Sequence, residues 1–125
     1  MAEKLSAEQV QRIELIQGFQ RSLDRVKRLV AELEGNRNGK PTVISGICST
    51  IGRELAQMRQ RAVRGNAGTL GDVAGALSVL ANRTAGVSVK LRGLTEGMVA
   101  LTMQLDLALK AAMRPEPKDR GEQPS

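Results

Sequence analysis

The chain has no tryptophan, no tyrosine and a single phenylalanine, Phe19, so any core it forms must be aliphatic. Leucine, valine, isoleucine, alanine and five methionines are left to fill it. Small interdigitating side chains suit helices packed on helices, whose axes approach closely. They give no platform for stacking nucleic-acid bases. Histidine is also absent, which removes the commonest transition-metal ligand and the usual general base near neutral pH. Metal-assisted hydrolysis and Ser-His or Cys-His catalysis are therefore disfavoured, and the expectation is a non-enzymatic protein with no cofactor and no metal. Cys48 is the only cysteine, so neither an intrachain disulfide nor a thiolate cluster can form. Its spacing from Ile44, Ile47 and Ile51 makes it a small core residue of a helix.

Long apolar runs are missing as well. No window of about 18 uncharged apolar residues exists, which argues against a membrane span, and the segment from Met1 to Ala7 lacks the continuous apolar core of a signal peptide. The expected location is the cytoplasm.

What remains is 125 residues, 41% hydrophobic and 26% charged, the composition of one ordinary globular domain. The net charge is +6, and residues 20–64 carry the whole of it, with ten basic against four acidic side chains. A basic segment on an otherwise balanced chain invites a polyanion as partner.

Helical periodicity runs through most of the sequence. Ser6-Ala7-Glu8-Gln9 has the form of a capping box. It opens a helix whose apolar stripe is Val10, Ile13, Ile16, Phe19, Leu23, Val26, Val30 and Leu33. Gly35 is expected to end this helix as a left-handed cap. After the turn-rich Asn36 to Pro41, Thr42 is the expected cap of a second helix carrying Ile44, Ile47, Cys48, Ile51, Leu55, Met58 and Ala62. Its β-branched start resembles a strand, but period-two alternation is lacking and no second strand is available to pair with it.

From Thr69, the expected third cap, a heptad seam runs through Val73, Leu77, Leu80, Thr84, Val87, Leu91, Leu94, Met98, Leu101, Leu105 and Ala108. Asp72 follows in the capping-box position. A helix from Thr69 to Met113 would be about 67 Å long at 1.5 Å per residue. Gly71, Gly75, Gly86, Gly93 and Gly97 weaken it by about 1 kcal/mol each relative to alanine, and Asn82 to Ser88 has poor helix propensity. A turn there would make four helices. The seam keeps its phase through Thr84 and Val87, however, which favours one continuous helix bent near Gly86.

The fold expected is thus all-α: an antiparallel bundle with a helical hairpin packed on a long C-terminal helix, or four helices if that helix breaks near Gly86. Residues 1–113 form the bundle. Residues 114–125, rich in proline and charge with no apolar side chain, form a disordered tail.

Three sets of residues are candidates for function. Val89, Gly93, Gly97, Ala100, Met103 and Leu107 form a second apolar stripe on a helix whose first face is already used, which points to self-association, a homodimer being favoured. Arg21, Arg25 and Arg28 share one side of the first helix, while Arg59, Arg61 and Arg64 crowd the glycine-bordered turn before Thr69. These six could bind a polyanion through its backbone, although a solvated face is the plainer reading of each group. The turn lacks the Gly-Lys-Ser/Thr ending and preceding strand of a nucleotide-binding loop. Asp72, Glu96 and Asp106 lie turns apart and do not form a catalytic or di-metal pair. The function expected is a helical assembly or adaptor protein acting through protein–protein contacts. The alternative is a small basic subunit of a nucleoprotein complex holding DNA or RNA without sequence specificity.

Overall fold

A computed structural model describes residues 5–65 and 68–114, which form four helices and no strand. Helix α1 spans Ala7–Gly35, α2 Pro41–Arg64, α3 Gly68–Asn82 and α4 Val87–Met113. Each packs on the next, and α4 closes on α1, so the chain runs up, down, up and down around one core. Of the expected C-terminal tail, Arg114 caps α4, and residues 115–125 lie outside the described residues.

The start of α1 forms as its sequence implies. Ser6 Oγ accepts from the Gln9 backbone N–H at 3.1 Å, and Gln9 Oε1 accepts from the Ser6 N–H at 2.8 Å, which satisfies two amides that have no intrahelical partner. Gln9 then does more than cap. Its Nε2 donates to the carbonyls of Arg114 at 2.6 Å and Ala112 at 3.4 Å, tying the first turn of α1 to the last turn of α4.

Three expected caps are corrected. The end of α1 does not use a left-handed Gly35. Gly35 is the last helical residue and Asn36 is the cap, with φ −110° and ψ 13°. The Asn36 backbone N–H reaches the Glu32 and Leu33 carbonyls and its Nδ2 donates to Glu32 O at 2.8 Å, so an amide side chain supplies the donor that an overwound glycine turn would otherwise provide. Helix α2 starts before Thr42, with Pro41 in its first turn and Lys40 as the cap. Proline at that position has a fixed φ already suited to a helix and lacks only an N–H that would have been unpaired. Thr69 is the second residue of α3 rather than its cap; the residues preceding Gly68 lie outside those described.

The largest correction concerns the long helix. It is two helices, α3 ending at Asn82 and α4 beginning at Val87 with Gly86 as an extended N-cap residue (φ −65°, ψ 151°). Asn82 Nδ2 folds back onto Ser78 O at 3.1 Å, and the Arg83 N–H bonds to Leu80 O at 3.2 Å. The low helix propensity of this stretch prevails over the unbroken seam. Phase continuity could not detect the reversal, because both arms of a helical hairpin present their apolar faces to the same core. Leu77 on one arm and Leu91, Leu94, Met98, Leu101 and Leu105 on the other are all buried, while Thr84 sits exposed in the connection.

The folded-back geometry explains glycines that a continuous helix would not need. A Cβ at Gly93 would run into Leu80 and one at Gly97 into Leu77. A Cβ at Gly71 would lie 3.2 Å from that of Ala62, so α2 and α3 approach closely, and theirs is the most extensive pairing in the bundle. Phe19, only 1% exposed, joins Val26, Leu33, Ile51, Leu55, Leu94, Leu101 and Leu105 in the fully buried centre. Cys48 is buried among them, as its spacing implies.

Helix lengths differ in a way that matters for the surface. At 1.5 Å per residue α3 is about 22 Å long, whereas α4 is about 40 Å and α1 about 43 Å. Leu80 meets Gly93 and Leu77 meets Gly97, so α3 runs out before α4 does. The far end of α4 is left with α1 as its main neighbour.

Candidate functional site

The outer side of α4 carries the most exposed apolar side chains of that helix. Val89 is 60% exposed, Val99 57%, Met103 61% and Leu107 66%, and Ala100 is exposed between them. Of the second stripe, Gly93 and Gly97 are thus engaged by α3 of the same chain, whereas Val89, Ala100, Met103 and Leu107 face outward. Val99 belongs with them and was not visible as part of the stripe. Its spacing of four from Met103 was the available signal. Val99, Ala100, Met103 and Leu107 together form an exposed apolar cluster, and the largest such patch on a monomer, about 300–600 Å², is often functional. Four charged residues, Arg92, Glu96, Asp106 and Lys110, are exposed on the same helix and border the patch.

The six arginines do not form one row. Arg21, Arg25 and Arg61 line a single groove between α1 and α2, with a volume of about 350 Å³. Arg59 turns to the other side of α2: its side chain passes over Gly75 of α3 and lines a separate groove with Asp72. Arg28 and Arg64 are exposed. The basic turn therefore splits, one arginine reaching toward α1 and another toward α3.

Within the α1–α2 groove the geometry is defined by Ser22, which is 1% exposed. Its Oγ accepts from Arg25 Nη2 at 3.1 Å and from Arg61 Nη1 at 3.0 Å. Charged donors satisfy the buried hydroxyl well, but they bring two cations together on a neutral atom. Bonds of these lengths to one oxygen hold the two nitrogens within about 6 Å of each other. Two unit charges at that separation repel by roughly 0.7 to 3 kcal/mol for effective dielectric constants between 80 and 20. Glu54 offsets part of this, its Oε1 accepting from Arg25 Nε at 3.1 Å. Among the described residues, Arg21 and Arg61 have no carboxylate within 4.0 Å. Ser22 and Glu54 were missed from the sequence. Ser22 stands beside Leu23 at helical spacing from Phe19 and Val26, and a polar residue at such a position was the one sign of it.

The carboxylates Asp72, Glu96 and Asp106 are exposed and stand on two helices, not one. Among the described residues, no group of three or more His, Cys, Asp and Glu is placed to hold a metal ion, and no helix is long and apolar enough to cross a membrane. No protein family, curated protein or solved structure matches the chain.

Proposed function

We propose that this chain is a non-enzymatic assembly or adaptor protein that self-associates as a homodimer and acts through protein–protein contacts. The observation that carries this reading is the exposure of Met103 and Leu107, at 61% and 66%, with Val99 and Ala100 beside them on a helix whose opposite side is already buried. Exposing large aliphatic side chains in one cluster is unfavourable in water, and burial in a partner recovers that loss.

A second copy is the partner that fits. Two α4 helices laid antiparallel about a two-fold axis through Met103 would place Val99 opposite Leu107 and Glu96 opposite Lys110, each twice by symmetry. Apolar side chains then form the centre, and opposite charges form the rim, the anatomy of a specific interface. An interface of ordinary size takes about 800 Å² from each partner. The apolar patch would form its centre, and the charged side chains around it, with adjoining residues of α1 and α3, would complete it.

The experiment is sedimentation velocity on the doubly substituted chain Met103→Glu, Leu107→Glu, with circular dichroism alongside. The expected result is a monomer with unchanged helicity, because both positions point away from the core. A variant that sediments as the wild type does, dimer or not, overturns the assignment of the interface to this face.

A further inference from the structure

The groove between α1 and α2 collects positive charge that the fold does not neutralise. Arg21, Arg25 and Arg61 line it, two of them donating to the same buried Ser22 hydroxyl. Ser22 is a fixed pivot: at 1% exposure it cannot swing away, so it holds the Arg25 and Arg61 guanidiniums side by side. Arg25 keeps its Nε on Glu54, and Arg61 has no carboxylate within 4.0 Å among the described residues. Gly18 forms part of the wall, and the missing side chain there leaves space beside Arg21, whose Nη2 would lie 3.8 Å from a Cβ at that position.

From this we infer that the α1–α2 groove is a binding site for a single phosphoryl group, free or carried on a small organic molecule. A phosphoryl group brings close to two negative charges and three strong acceptor oxygens, which matches several planar guanidinium donors converging from two helices. A carboxylate, with one charge and two oxygens, fills one guanidinium fork and leaves the other cations unpaired. A bound anion also converts the repulsion between neighbouring guanidiniums into attraction toward a common centre.

The acids around the groove set its length. Glu14 lines it from the N-terminal part of α1, and Glu54 holds Arg25 from the α2 side toward the other end. A polyphosphate chain running along the groove would meet a carboxylate toward either end. The site therefore suits one phosphoryl group and disfavours a nucleic-acid backbone, whose grip depends on many cations in succession. It lies on the α1–α2 side and does not depend on the α4 contact.

The test is a titration of the full chain followed by NMR of the arginine Nε–H signals at constant ionic strength, using inorganic phosphate, glycerol phosphate and a short single-stranded oligonucleotide. Saturable shifts of Arg21, Arg25 and Arg61 with phosphate or glycerol phosphate, and none at Arg83 or Arg92, are expected. Tighter binding of the ester identifies an organic phosphate as the ligand, and equal binding identifies free phosphate. Arg61→Gln should weaken binding at least tenfold. Glu54→Gln should tighten it several-fold, since Arg25 loses the carboxylate that competes for it, and this partly exposed pair can be removed without unfolding the bundle. Shifts that stay linear in the millimolar range, saturation by the oligonucleotide alone, or unchanged affinity in Glu54→Gln would each overturn the inference.

Discussion

Reversing one charge on α4 gives the sharpest check of the proposed antiparallel register. In that register Glu96 of one copy faces Lys110 of the other, and two-fold symmetry repeats the pair. Exposed ion pairs contribute about 0.2–1 kcal/mol each. Glu96→Lys therefore replaces two weak attractions with two repulsions of similar size, a change of about 2 kcal/mol in the dimer at an intermediate 0.5 kcal/mol per interaction. Since 1.4 kcal/mol is tenfold in Kd, dimerisation should weaken by roughly thirtyfold. Lys110→Glu should do the same. Mixing the two variants makes both pairs attractive again, so the heterodimer should recover wild-type affinity while each variant alone stays weak. Sedimentation equilibrium on each variant and on the equimolar mixture measures this, and added salt should reduce all of the differences. If the mixture associates no better than the separate variants, Glu96 and Lys110 are not opposite each other and the register is wrong.

Two further substitutions test the bundle itself. Gln9→Leu removes the side-chain half of the capping box, in which Gln9 Oε1 accepts from the Ser6 N–H, and the bonds to the Ala112 and Arg114 carbonyls. It should cost about 1–3 kcal/mol, with hydrogen exchange rising at the start of α1 and the end of α4 together. Exchange rising at α1 alone would show that the tie to α4 is not maintained in solution. Gly97→Ala and Gly46→Ala should have opposite signs. An added Cβ at Gly97 would come within 3.0 Å of three Leu77 side-chain atoms and should cost about 1–3 kcal/mol through overpacking. At Gly46 nothing lies within 4 Å, so alanine should stabilise α2 by up to about 1 kcal/mol. Thermal unfolding by circular dichroism reads both, and a shift of the same sign for the pair would refute the α3–α4 contact.

The helical content, the α1 cap and nearly all of the core were legible because they rest on local chemistry: a Ser-to-Gln box, apolar residues at three- and four-residue spacing, and an aliphatic composition. The hairpin between α3 and α4 was not settled by the same signals. The weak helix formers Asn82, Thr84 and Gly86 pointed to it, yet the seam on both sides stayed in phase, and only tertiary contact distinguishes a bent rod from two arms folded together. The roles of Gly93 and Gly97 follow from that fold, since their close neighbours are Leu80 and Leu77 of the same chain. The α1–α2 groove was half visible. The arginines were conspicuous in the sequence, but which of them meet depends on Ser22 and on the register between two antiparallel helices. No spacing rule within one helix could place Arg61 beside Arg25.

The central claim is that the outer face of α4 is covered by a second copy. Sedimentation velocity of the unmodified chain over the micromolar range tests it most directly. The expected result is a species of about 27 kDa, twice the 13.4 kDa of the chain, that gives way to monomer on dilution. A well-folded monomer at every concentration would contradict it.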